Sequence, residues 1–159
     1  MMDHGQQKII ETIKKNSDMV YRLAFSQMKN KADADDVYQE VFLRFVNKKP
    51  SFCNENHEKA WFIRVTLNCA KTNLKSFWRT KTAELDENLE DISVEKEDLS
   101  FALKKLSKKY NAVLYLFYFE DMPVSEIAKV FDLSESNVRM LLTRARRKLK
   151  EILEKEQYR

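Results

Sequence analysis

"PVSEIAKVFDLSESNVRMLLTRARRKLK", residues 123–150, reads as two helices joined by a short turn. Pro123 opens the first. Val124, Ile127, Ala128 and Phe131 follow at steps of three and four, the spacing that places side chains on one helix face. "DLSES" is the turn, with Leu133 expected as a buried plug and Ser134 as the cap of the next helix. In that helix Val138, Leu141, Leu142, Ala145 and Leu149 form the inward side, and the small Ala128 lets the two helices cross closely. The outward side carries Ser136, Asn137, Arg139, Met140, Thr143, Arg144 and Arg147. Such a face suits a major groove, because arginine bonds guanine edges bidentately and short polar groups allow close approach. The later cations Arg146, Arg147, Lys148 and Lys150 suit phosphates. A plain helical hairpin with a basic exposed side fits the same spacing.

Upstream, a helix is expected near 96–105 on the stripe Leu99, Ala102, Leu103, Leu106. Ser107 then caps a very apolar helix containing Ala112, Val113, Leu114, Leu116, Phe117 and Phe119, which "EDMP" ends. The whole chain has 159 residues, one glycine (Gly5) and two prolines (Pro50 and Pro123). Turn-rich β architectures need more of both, so the fold class is all-α. A hydrophobic fraction of 43% supplies a core and excludes wholesale disorder.

The N-terminal half carries three further helices. Residues 6–29 read as helix interrupted near Asn16-Ser17, with Ser17 capping a second piece that points Val20, Leu23, Ala24 and Met28 inward. "KNKADADD" is a break and a new start, with Asp33, Asp35 and Asp36 complementing the dipole of a helix that runs to about Val46. Its apolar side is Val37, Val41, Phe42 and Phe45, and Gln39 and Glu40 follow its acidic start. These polar positions are ordinary helix-start charges, or an acidic and amide face that docks on a basic partner helix. "NKKPSFCNENHE" is a loop, since Lys49 precedes a proline and Asn54 and Asn56 favour turns.

The third helix, about 58–79, has two stripes. Ile63, Leu67, Ala70, Leu74 and Phe77 form a core face; Trp61, Arg64, Asn68, Lys71, Lys75 and Trp78 mix aromatics, cations and an amide. That mixture is the composition of a single-strand binding surface, where bases stack on rings and cations follow the backbone. The other reading has both tryptophans partly buried, Trp61 under the preceding loop, with cations snorkelling around them.

Charge is unevenly placed along a chain whose net charge is only +4. Residues 71–81 hold four cations and no acid, 84–98 eight acids against Lys96, and 139–150 six cations and no acid. Two basic blocks around an acidic stretch suggest two nucleic-acid-facing domains, 1–79 and 96–159, joined by an acidic linker at 80–95. Solvated helix faces explain the charge equally well. No apolar run reaches the ~18 residues of a membrane span, and the N-terminus lacks a signal-peptide core, so a cytoplasmic protein without membrane insertion is expected. Cys53 and Cys69 give no disulfide framework, and with His57 and His4 they lack a metal-knuckle spacing. No nucleophile–base pairing or phosphate-binding glycine loop is present, so neither an enzyme nor a cofactor or metal site is expected.

Three stretches together resemble RNA polymerase sigma factors of the extracytoplasmic-function (ECF) group. "DADDVYQEVFLRFV" (33–46) resembles the core-binding segment of region 2. "AWFIRVTLNCAKTNLKSFWR" (60–79) is similar to the group's promoter-melting helix, with Trp61, Arg64 and Asn68 on its W-x-x-R-I-A-x-N pattern. "LYLFYFEDMPVSEIAKVFDLSESNVRMLLTRARRKLKEIL" (114–153) resembles region 4. The resemblance covers about 18–153, with both halves in order.

It implies a promoter-recognition subunit of core RNA polymerase. Asp36, Gln39 and Glu40 would dock on the coiled coil of the largest polymerase subunit. Phe52 and Asn68 would form a pocket for a flipped base of the −10 element, with Trp61, Arg64, Lys71 and Lys75 along the melted strand. Ser136, Asn137, Arg139, Met140, Thr143, Arg144 and Arg147 would meet the −35 duplex, while region 4 packs on the polymerase flap. An anti-sigma factor is a further partner the resemblance implies. Asp121 and Asp132 stand where the family commonly has glycine, Ser107 where it often has proline, and Leu141 where a second arginine is frequent. Aspartate tolerates left-handed backbone better than most residues, so both turns can survive. Two other functions compete: a stand-alone helix-turn-helix regulator acting without core polymerase, and a helical adaptor that no longer reads DNA.

Overall fold

The computed structural model describes residues 3–78 and 99–157, with side chains from 3 to 71 and from 102 to 155. The 80–95 stretch lies outside the described residues, as do the side chains of Leu74, Lys75, Phe77, Trp78 and Leu99. All the described elements are helical: α1 (His4–Met28), α2 (Lys31–Lys48), α3 (Glu55–Trp78), α4 (Leu99–Lys104), α5 (Lys108–Leu114), a π-helical turn (Tyr115–Phe119), α6 (Val124–Phe131) and α7 (Glu135–Gln157). The chain divides into two compact units, Met1–Ala70 and Lys71–Arg159.

In the first unit α1 is one unbroken helix, not the two pieces its polar centre suggests. Asp3 caps it in a capping box with Gln6. Asn16 is buried, yet its amide donates to the Thr12 carbonyl at 2.9 Å and to Glu58 of α3 at 3.2 Å. Ser17 caps nothing; its hydroxyl meets the Tyr38 hydroxyl of α2 at 2.6 Å. These polar groups are satisfied across helices, which removes the cost of burying them. Asn30 caps α2 by accepting the Asp33 N–H at 2.8 Å, and Lys49 ends it in the left-handed region (φ 46°) just before Pro50.

Helices α1 and α2 pack on each other, with Val20, Leu23 and Ala24 of α1 and Ala34, Val37 and Val41 of α2 all fully buried. The inward face of α3 is rotated from the expected stripe. It is centred on Phe62, Ile63, Thr66, Cys69 and Ala70, with Leu67 only half-buried. Phe62 is the hub, in ring contact with Phe42 (5.6 Å) and Phe45 (5.2 Å) of α2. Burying a phenylalanine of this kind stabilises by about 1.5–3 kcal/mol. Thr66 tolerates full burial because its hydroxyl donates to the Phe62 carbonyl at 2.6 Å.

In the second unit α7 packs on α4, α5 and α6. Ser107 caps α5 by accepting the Tyr110 N–H at 3.3 Å, and the buried Asn111 donates to the Leu103 carbonyl at 2.9 Å. The apolar run after α5 does not stay α-helical: from Tyr115 to Phe119 the turn widens, and the Glu120 N–H reaches the Tyr115 carbonyl at 3.3 Å. A π-turn of this kind shifts the phase of a helix surface, and here Tyr118 and Phe119 are turned outward, 51% and 44% exposed. Asp121 (φ 53°) and Asp132 (φ 55°) hold left-handed backbone, Asp132 as the C-cap of α6. Ser134 accepts the Asn137 N–H at 3.1 Å and starts α7. Val138, Leu142 and Ala145 are buried; Leu141, Leu149 and the expected plug Leu133 are half-buried.

Candidate nucleic-acid and polymerase interfaces

Three surfaces carry the sequence-predicted residues. The first is the start of α3 and the loop before it. Asn54 accepts the His57 N–H at 2.9 Å and so fixes the helix start at Glu55, earlier than the hydrophobic pattern indicates. The half-buried Phe52 packs against Trp61 (5.9 Å, edge-on), Phe62 (6.2 Å) and His57 (5.5 Å, edge-on). Trp61 is itself half-buried, with Phe45 at 6.1 Å and Phe62 at 5.0 Å. It thus lies under the loop as a wall shared with the core. Arg64 and Asn68 follow on the same helix face, both exposed; Trp61 and Asn68 are seven residues and about 10 Å of helix apart. Lys71 is exposed.

The α1 surface braces this helix start. The Lys15 ammonium meets Glu55 at 2.9 Å and Glu58 at 3.6 Å. The hydrogen bond from Lys15 holds the Glu55 carboxyl below its ordinary value, and Glu55 in turn raises Lys15. Cys69 is buried on the inward side, and desolvation pushes its thiol up. Cys53 is exposed in the loop, and its backbone N–H donates to His57 Nδ1 at 3.1 Å. Among the described residues no cluster of three or more metal-ligating side chains occurs.

The second surface is the outer side of α2. Asp36, Gln39 and Glu40 are exposed, and Glu40 pairs with Arg44 at 3.1 Å. The same face continues into Leu43 and Val46, 58% and 39% exposed. Positions 36, 39, 40, 43 and 46 share one side at helical spacing. The stripe is therefore acidic at one end and apolar at the other. The sequence reading does not single out Leu43 and Val46, although both stand off the apolar stripe of Val37, Val41 and Phe45 by their numbering alone.

The third surface is the outer side of α7. Ser136, Asn137, Arg139, Met140, Thr143, Arg144 and Arg147 are all exposed. They lie along about 17 Å of helix, enough to lie along a major groove. Arg139 makes a 3.3 Å surface pair with Glu135, a contact weak enough to exchange for DNA. Thr143 donates its hydroxyl to the Arg139 carbonyl at 3.0 Å, which leaves its methyl group and acceptor lone pairs outward. Arg146 has other employment than the phosphates expected of it. Its Nε donates to the Tyr118 hydroxyl at 2.6 Å, and its guanidinium lies over Phe117 and Tyr118 at 5.4 and 5.5 Å. Arg147, Lys148 and Lys150 remain exposed, Lys148 near Glu151 at 3.5 Å.

Residues 12–80 match the family model of sigma-70 region 2, and residues 96–149 that of sigma-70 region 4. The chain is 32% identical to the RNA polymerase sigma factor SigV of Bacillus subtilis over 142 residues, which is 86% of this chain and 85% of that protein. The chain belongs to the sigma-70 family of RNA polymerase sigma factors. It is 28% identical over 141 residues to the ECF sigma factor SigM of Bacillus subtilis, covering 82% of this chain and 86% of that protein. Among solved structures it resembles the sigma factor RpoE of Bartonella quintana, crystallised with the anti-sigma factor NepR. The TM-score is 0.74 over 93% of this chain and 98% of that one, at 16% identity, which is a likeness of fold. The chain's relatives include ECF sigma factors, and as a sigma factor its activity is to bind core RNA polymerase and direct promoter-specific initiation. The stand-alone regulator is set aside, because region 2 is matched as well as region 4. Among the described residues no helix is long and apolar enough to cross a membrane.

Proposed function

We propose that this sigma factor divides its work among the three surfaces as follows. The loop and α3 capture melted −10 DNA: Phe52, backed by Trp61 and Phe62, walls a pocket for one unstacked base, and Asn68 bonds that base's edge with its amide. Arg64, with Lys71 and Lys75 further along the stripe, follows the strand's phosphates. Arg139, Met140, Thr143 and Arg144 on α7 read the −35 duplex, Met140 by apolar contact with a thymine methyl, and Ser136, Asn137 and Arg147 position the helix. Asp36, Gln39 and Glu40 dock on the polymerase's coiled coil, and Leu43 and Val46 supply the apolar part of that contact.

The 1–79 and 96–159 halves act as the −10 and −35 domains, joined by the acidic 80–95 linker. Region 4 also meets the polymerase flap. An anti-sigma factor holds the chain inactive, a reading that rests on the kinship and on the NepR-bound RpoE. The protein works in the cytoplasm and has no catalysis of its own.

The observation that carries this reading is the seating of Phe52 on Trp61, with Asn68 exposed about two turns further along the same helix face. It is tested by permanganate footprinting of unpaired thymines with holoenzyme on a promoter it transcribes. Phe52→Ala and Asn68→Ala are expected to retain closed complexes and lose strand opening. Arg139→Ala with Arg144→Ala is expected to lose the closed complex. Equal opening by all variants would remove the assignment.

A further inference from the structure

Phe52 sits between Pro50 and the start of α3, and its ring contacts with Trp61 and Phe62 are apolar. Aromatic pairs of this kind orient the ring, but they bond no backbone group and so do not set the peptide that carries it. One directional contact does. His57 is the third residue of α3; its own N–H is taken by the cap residue Asn54 at 2.9 Å. In a capping box a glutamate or glutamine at this position reaches back to the cap residue's N–H. The His57 ring reaches one residue further: Nδ1 accepts the N–H of Cys53 at 3.1 Å. The proton of the neutral ring is then on Nε2. The same ring stands edge-on to Phe52, 5.5 Å between centroids and 87° between planes. One side chain therefore fixes the peptide that follows Phe52 and also flanks its ring.

We propose that His57 is a positioning residue for the single-strand pocket, holding the 50–54 loop in its base-capturing form before DNA arrives. This rests on the assignment of Phe52 and Asn68 to that pocket. A loop already ordered does not lose that conformational freedom during capture, so capture is tighter. The gain is that of one exposed hydrogen bond, about fivefold in the pocket's affinity for its base, and so in the enrichment of that base over strands held by phosphate contacts alone.

The test uses the full chain assembled with bacterial core polymerase, as wild type, His57→Ala, His57→Asn, Phe52→Ala and Asn68→Ala. Asparagine is the conservative variant because its carbonyl oxygen stands where Nδ1 stood. The probe is a random-sequence single-stranded oligonucleotide pool, with the bound fraction sequenced. Amide hydrogen exchange at Cys53 is followed in parallel. His57→Ala is expected to speed Cys53 exchange and flatten the base preference about fivefold at one position, with core affinity unchanged, and His57→Asn to restore both. If Phe52→Ala or Asn68→Ala flattens the preference while His57→Ala does not, His57 merely caps a helix and the proposal falls. If none of the four variants changes the preference, the pocket assignment itself falls, and this role with it.

Discussion

Replacing Arg146 by alanine separates two roles that a basic recognition helix confounds. The side chain is on the same helix as Arg144 and Arg147, but it is engaged with the π-turn. The Nε–Tyr118 hydrogen bond is 2.6 Å long, and two aromatic rings lie within 5.5 Å of the guanidinium. An exposed cation–π contact contributes about 0.5–1 kcal/mol, and a hydrogen bond about 0.5–1.5 kcal/mol. Because Tyr118 is half exposed, solvent screens both. Arg146→Ala should then cost roughly 1–2 kcal/mol of stability. Tyr118→Phe, which keeps the ring and removes the acceptor, should cost roughly 0.5–1 kcal/mol.

The assay is urea unfolding of the full chain, read beside the salt dependence of holoenzyme binding to promoter duplex. Removing a cation that neutralises one phosphate lowers the slope of log affinity against log salt by about one. Arg147→Ala should do this, whereas Arg146→Ala should shift the unfolding midpoint and leave the slope as it was. An unchanged midpoint with a slope lowered by about one would make Arg146 a DNA-binding residue and refute the clamp.

Three other outcomes follow from the same geometry. Leu43→Asp places a charge on an already exposed position, so it should leave folding intact and weaken core polymerase binding at least about tenfold in a fluorescence titration; unchanged affinity would exclude the apolar end of α2 from that contact. Asp132→Gly should stabilise the fold by about 1 kcal/mol in urea unfolding, since a left-handed cap at φ 55° costs aspartate more than glycine; destabilisation would contradict it. In alkylation mapped by mass spectrometry the exposed Cys53 should react first. Burial favours the neutral thiol of Cys69 and raises its pKa, so its thiolate is scarcer near neutral pH, and it should react only in denaturant or as the pH becomes alkaline; equal rates in the native protein would contradict its burial.

Much of the architecture is written in local signals. Pro123, the Ile127–Ala128 stripe, Ser134 and Val138 suffice to place α6, the turn and the start of α7, because each acts within a few residues of itself. Asp132 is legible as a left-handed cap for the same reason. Apart from the start of α3, which the local Asn54 cap moves to Glu55, the failures are long-range. Asn16-Ser17 looks like a break because polar pairs favour non-helical backbone. Its partners, Glu58 and Tyr38, lie 42 and 21 residues away and keep α1 whole. The widening at Tyr115 has no periodic signature in an unbroken aromatic run. It turns Tyr118 outward to meet Arg146, 28 residues on. Trp61 shows why the mixed aromatic and basic stripe of α3 is ambiguous in sequence: its ring packs on both the core and the loop, so a core residue and the proposed wall of the −10 pocket are one and the same. His57 gives no sequence signal because a lone histidine carries no pattern, and its role depends on a loop backbone no spacing reveals.

The most direct measurement is transcription by purified bacterial core polymerase, with and without this chain, on a supercoiled library of its host's upstream regions. Discrete start sites that require the chain, and that vanish with Asn68→Ala or with Arg139→Ala plus Arg144→Ala, are the predicted result. Duplex binding by the chain alone with no core-dependent starts would contradict a sigma factor's division of labour between its two halves.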